Sequence, residues 1–196
     1  MSANSLSRLE CALSQSKLNG QASSVPPGGP ELCGDIDIRI ARDGTWYHHG
    51  SPIGRKSLIK LFASVLKRDE AGDFWLITPA EMCRIKVDDA PFAAVEMTVK
   101  GVGHHQTLIF RTNIDEFVTA CADNPIRVAI NPDTQEPAPY VMVRDGLEAL
   151  ITRSVFYDLV ELAEVDGEGG RDQGGGSVLG VWSDDKFFEF GTADDE

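Results

Sequence analysis

The residues best equipped for chemistry gather in one stretch of this chain. Asp35, Asp37 and Arg39 stand at alternate positions, opposite Ile36, Ile38 and Ile40, so on a strand the three charges share one face. Trp46, Gly50, Gly54 and Arg55 follow close behind. An aromatic ring, arginines and permissive glycines beside a helix start are the parts of a pocket for an anion or a nucleotide. Thr78 and Glu81, at a turn, add a hydroxyl and a carboxylate. The expected ligand-binding set is therefore Asp37, Arg39, Trp46, Arg55, Thr78 and Glu81. Trp46 stacks, Arg39 and Arg55 meet negative charge, and Asp37, Thr78 and Glu81 orient polar groups. The plain alternative is a solvent-facing polar stripe whose cross-strand ion pairs are each worth under about 1 kcal/mol. Thr78–Glu81 also reads as a simple turn, and Asp88–Asp89 as an Asp-rich turn before Ala90–Pro91.

Sharper chemistry is not spelled out. GSPIGRK lacks the spacing of GxxxxGK[ST], and nothing matches GxGxxG. The histidines come as two adjacent pairs, His48–His49 and His104–His105. Neighbouring strand residues face opposite sides, so neither pair chelates a metal from one face. Four cysteines, at 11, 33, 83 and 121, form no CxxC and no zinc spacing. Cys83 and Cys121 read as small buried hydrophobes. Ser51 is explained by helix capping, and Ser177 and Ser183 sit in loops with no nucleophile elbow, so no catalytic residue is assigned. The expectation is no catalytic site, no metal and no cofactor.

The chain of 196 residues carries a net charge of −13, with its lysines and arginines scattered. A phosphate backbone or an anionic bilayer repels such a surface, so neither nucleic acid nor membrane is expected as a partner. No apolar run approaches the roughly 20 residues of a membrane span. The first twenty residues lack a basic start followed by an apolar block, which leads to the expectation of a cytoplasmic protein with reduced thiols.

The elements that must position these residues follow in order. Residues 1–30 read as a leader, with a short amphipathic helix over 5–18 and a Pro/Gly-rich tether. Strand 36–40 turns at Asp43–Gly44 into strand 45–48. Ser51 as N-cap and Pro52 at the first helical position open a helix through Leu58, Leu61, Phe62 and Val65, with Lys67 and Arg68 in its last turn. Strands are expected at 74–77, 82–87, 92–99, 105–111, 126–130 and 139–143. A short helix is expected at 114–122 and a second amphipathic helix at 147–163. A Gly-rich acidic loop over 166–177 precedes a closing hairpin, 178–182 with 186–190.

Strand pair, helix and hairpin occur twice. Ile53, Arg55, Leu58, Leu61 and Phe62 match Ile151, Arg153, Phe156, Leu159 and Val160 at a constant offset of 98. The strand around Ile40 corresponds in kind to 126–130, and the hairpin 74–85 to 178–189. The first copy carries the denser polar set.

The runs GDIDIRIARDGTWYHHGSPIGR, FWLITPAE and VDDAPFAAVEM resemble a proteobacterial family of uncharacterised proteins, the domain-of-unknown-function 1285 family. The resemblance covers roughly residues 32–163 and, more loosely, the closing hairpin. It implies two α+β domains with related motifs, the second superficially like a pleckstrin-homology fold. It also implies a nucleotide-like ligand at the domain interface and a role in signal transduction. The expected architecture is thus α+β: a leader 1–30, a first subdomain 31–91 and a second, pleckstrin-homology-like subdomain 92–196, each of antiparallel strands plus a helix. The expected function is non-enzymatic binding of a small, nucleotide-like ligand in a regulatory role. The alternatives are a protein–protein interaction module and a hydrolase of a phosphorylated metabolite.

Overall fold

A computed structural model describes residues 29–130, 136–166 and 177–193. The expected leader helix, most of the Gly-rich loop and the acidic end lie outside the described residues. The chain divides into two compact units, Met1–Asp89 and Ala90–Glu196.

Among its described residues the first unit is a six-stranded sheet with one helix. Its elements are β1 (Glu31–Ile40), β2 (Trp46–His48), β3 (Ser51–Pro52), α1 (Lys56–Ser64), β4 (Leu66–Arg68), β5 (Phe74–Ile77) and β6 (Glu81–Val87). They lie in the order β3-β2-β1-β6-β5-β4. Alternation of Ile36, Ile38 and Ile40 with charged residues makes β1, and Ile38 and Ile40 are buried. The Asp43 carboxylate accepts the Thr45 N–H at 2.9 Å and Gly44 takes φ +81°, which turns the chain into β2. The register sets Ile40 opposite Trp46 and Arg39 opposite Tyr47. Trp46 therefore falls on the buried face, where its ring stacks on Phe62 of α1 at 6.2 Å. Leu58, Phe62 and Ala63 are the buried stripe of that helix.

Three expectations for this unit are corrected. Ser51 and Pro52 do not open the helix; they pair with His48 and Tyr47 as β3, and α1 begins after Arg55. Strand pairing takes up their backbone groups before any helical turn can. Lys67 and Arg68 belong to β4, since Leu66 is drawn into the core opposite Leu76. The sheet is not wholly antiparallel: β1 and β6 run parallel.

The second unit repeats the sheet. It comprises β7 (Phe92–Lys100), a 3-10 turn (Gly103–His105), β8 (Thr107–Thr112), β9 (Phe117–Thr119), β10 (Ile126–Ile130), β11 (Pro137–Arg144) and β12 (Leu147–Ile151). After these come α2 (Arg153–Glu161) and a separate three-stranded sheet, β13 (Glu164–Asp166), β14 (Ser177–Ser183) and β15 (Lys186–Ala193). The six-stranded order, read from its far edge, is β9-β8-β7-β12-β11-β10. That is the first unit's order element for element: two antiparallel meanders joined through a parallel pair, β7 with β12.

The repeat is therefore in the sheets and not, as the offset of 98 suggested, in the helices. α1 links the two meanders of its unit, whereas α2 follows the last strand of its own. The buried residues Val155 and Leu159 match Leu58 and Phe62 at an offset of 97, and Val160 is exposed. By place in the sheet β1 corresponds to β7, and the hairpin β14-β15 stands in a sheet with no counterpart among the described residues of the first unit. Two further expectations change. Residues 114–122 hold strand β9, because Val118 and Ala120 point into the core at a two-residue period. The amphipathic run 147–163 splits into β12 and α2, Leu147, Ala149 and Ile151 being buried in alternation. Sheet and helix periods simply abut there.

Candidate ligand-binding site

The seam between β1 and β6 is irregular in two places. Partners run Leu32–Met82, Gly34–Cys83, Asp35–Arg84 and then Arg39–Lys86. Cys33 is thus one extra residue on β1. Further along, Ile36, Asp37 and Ile38 stand against Ile85 alone. Such shifts spread two strands and re-aim their side chains. The matching seam in the second unit, Phe92–Ala149 to Ala94–Ile151, has no shift.

Beside the second shift lies a groove of about 350 Å³ walled by Asp35, Ile36, Asp73, Phe74 and residues 84–87. That volume falls within the range of small-molecule sites. Arg84 is its central group. Its Nε donates to Asp35 Oδ1 at 2.6 Å, one terminal nitrogen to Asp35 Oδ2 at 3.0 Å and the other to Asp73 Oδ2 at 3.2 Å. The guanidinium also lies over the Trp75 ring at 5.8 Å. These two carboxylates, with the Asp35 hydrogen bond foremost, raise the Arg84 pKa, and Arg84 in turn holds Asp35 below the usual carboxylate range. The Trp75 indole N–H donates to Asp69 at 2.7 Å and lowers that carboxyl as well. Both carboxylates on Arg84 are solvent-exposed, so each pair is worth little and a ligand group can replace one at small cost. Lys86 adds an exposed cation to the same wall.

None of the six sequence-selected residues walls this groove. Arg39 is held by Asp88, its Nε 2.9 Å from the carboxylate, and lies over Tyr47. The Asp37 carboxylate lies 2.9 Å from His49 Nδ1 and accepts its hydrogen in the tautomer that carries one there. Trp46 has no exposed face, so in this conformation it is a core ring and not a stacking platform. Arg55 takes the N-cap position of α1 without capping it by its side chain. The Thr78 hydroxyl accepts the Glu81 N–H at 2.9 Å and donates to the Glu81 carbonyl at 3.1 Å, which locks the turn between β5 and β6. Asp35 was legible as a candidate from the strand face. Arg84 was not, because its meeting with Asp35 depends on the pairing of residues 49 apart in the chain, and Asp73 enters only through Arg84.

The histidine pairs also differ from expectation. His48 and His49 have rings 4.1 Å apart, since a φ of +48° at His49 breaks the strand alternation. Burial, with His49 beside it, lowers the His48 pKa. His104 stacks on Trp182 and His105 meets Asp185. Among the described residues one group has metal-ligating character: Cys33, Glu81 and Cys83, whose ligand atoms lie within 4.8 Å of one another. No helix among the described residues is long and apolar enough to cross a membrane.

An α+β chain of two like-ordered sheets, with the chemically richer seam in the first, is the class these observations define. The chain belongs to the DUF1285 family. The model of the N-terminal domain, a domain of unknown function, matches residues 25–90, and that of the C-terminal domain, from a protein of unknown function, matches 91–190. It is similar to the crystal structure of a DUF1285 family protein from Silicibacter pomeroyi DSS-3, at 44% identity and a TM-score of 0.77, covering 93% of this chain and 95% of that one. A second similar structure is a DUF1285 family protein from Shewanella baltica OS155, at 25% identity and a TM-score of 0.50, covering 64% of this chain and 91% of that one. No curated protein matches.

Proposed function

We propose that this chain is a non-enzymatic regulatory protein that binds a small, nucleotide-like ligand in the seam groove of its first unit. The observation that carries the reading is Arg84, held between two exposed carboxylates beside Lys86 on the wall of a groove of ligand size. Such a site offers both polarities. Arg84 and Lys86 meet an anionic group, and Asp35 and Asp73 accept hydrogen bonds from hydroxyls, which is the pattern of a sugar phosphate. Phe74 supplies an apolar wall. The set contains no nucleophile paired with a base, so binding rather than turnover is the chemistry it supports. The regulatory role is what the resemblance to the domain-of-unknown-function 1285 family implies, and it is proposed on that ground alone.

Thermal-shift and calorimetric titration against a panel of nucleotides tests the reading. A ligand at a hundred times its dissociation constant adds about 2.7 kcal/mol of stability. Arg84→Gln should abolish the shift without lowering the midpoint of the unliganded protein by more than a few degrees. A wild-type chain that answers to no nucleotide overturns the proposal, and so does an Arg84→Gln chain that binds as well as wild type.

A further inference from the structure

We propose that Cys33, Cys83 and Glu81 form a binding site for a thiophilic divalent cation of the zinc class. It lies at the first register shift of the β1/β6 seam. The two sulfurs and the carboxylate lie within 4.8 Å of one another, so a small side-chain adjustment would bring them to the roughly 3.8 Å ligand separation of one tetrahedral ion. Cys33 reaches this position because it is the extra residue on β1, between the partners of Met82 and Cys83. Glu81 and Cys83 stand two apart on β6 and so share a face. The turn that aims Glu81 is fixed by the Thr78 hydroxyl. None of this is visible as a zinc spacing, since the cysteines lie on strands far apart in the chain.

The character of the three groups favours a cation over a disulfide couple. Cys83 is buried, with Cys33 and the Glu81 carboxylate beside it. A thiolate is the attacking species in disulfide exchange, and a carboxylate neighbour opposes it. A divalent cation reverses that balance: it supplies the positive charge, and both thiols release their protons to solvent on binding. Cys83 lies inside while Cys33 is exposed, so the ion would sit at the surface. Two thiolates and one carboxylate leave its fourth position to water, the arrangement of an open site.

The test uses the full chain, reduced and freed of metal. Zn²⁺ is titrated against a chromophoric chelator, and Co²⁺ serves as a spectroscopic probe. The expected result is one equivalent bound, with a thiolate-to-cobalt charge-transfer band in the near ultraviolet. Cys33→Ser, at an exposed position that the fold does not need, should weaken Zn²⁺ by about tenfold or more and reduce the band. Glu81→Gln should weaken Zn²⁺ and keep the band. Cys121→Ser should change neither. No saturable uptake by the wild-type chain overturns the proposal, as does unchanged affinity in Cys33→Ser. A Cys33–Cys83 disulfide that forms as fast with equimolar Zn²⁺ as without it would also overturn it, because a filled site protects both sulfurs. The arms do not involve Arg84, so this result stands apart from nucleotide binding.

Discussion

Trp46→Ala removes a ring that is fully buried and stacked on Phe62, and should cost about 3–5 kcal/mol. At roughly 2–4 °C per kcal/mol for a chain of this length, the midpoint falls by roughly 6–20 °C when the whole chain melts in one transition. Trp46→Phe separates the ring from its polar edge. Among the described residues the buried indole N–H of Trp46 has no hydrogen-bond partner, at a cost of about 1–3 kcal/mol to the native protein. Phenylalanine removes that cost and leaves a void of roughly 40 Å³, worth about 1 kcal/mol at the usual cavity coefficient. The two terms oppose each other, so Trp46→Phe should stay within about 2 kcal/mol of wild type. Urea unfolding followed by circular dichroism measures both, with the slope checked for a change in denatured-state exposure. A loss below about 1 kcal/mol in Trp46→Ala refutes the core assignment. A Trp46→Phe loss as large as that of alanine refutes the unpaired N–H. Loss of a nucleotide response in a folded Trp46→Phe chain would return the stacking role to this ring.

Three further outcomes follow from the packing. Ser183 is fully buried, its hydroxyl accepting the Leu108 N–H at 2.9 Å and donating to the Ala120 carbonyl at 2.7 Å, so it fastens β14 to the second unit's large sheet. Ser183→Ala strands both groups and should cost on the order of 2–4 kcal/mol in the same urea assay. A Cβ at Gly180 would meet the Phe188 carbonyl at 2.4 Å, so Gly180→Ala should disrupt the β14-β15 pairing, seen as loss of amide-exchange protection confined to that hairpin. Arg84 holds Asp35 low, and a carboxyl lowered on folding stabilises above its unfolded pKa near 4 and stops doing so as pH falls through the folded value. The stability gap between wild type and Arg84→Gln should therefore shrink below about pH 4 and be constant above about pH 5.

How much of this was legible beforehand depends on the range of the interaction. Strand β1, its Asp43–Gly44 turn, β5 and β6 were readable because alternation and turn chemistry are local. The helix starts were misplaced because Ser51–Pro52 and 147–151 are claimed by strand partners that local pattern does not name. Trp46 shows the intermediate case. Its propensity for strand was plain, but which face it took was set by its pairing with Ile40 across the turn.

The amino-acid sequence by itself determined the alternating charge on β1, the absence of phosphate-loop and dinucleotide motifs and the acidic balance of charge; that the two halves repeat a sheet order was visible only in the strand pairing. Tertiary structure alone decided which charges meet. The parallel seam brings Asp35 to Arg84 and Cys33 to Cys83, each pair separated by about fifty residues of chain. The two register shifts that open that seam arise from fitting a longer run of β1 against a shorter run of β6. No local pattern encodes that mismatch, because it is a property of two strands taken together, and both candidate sites of the first unit lie on it.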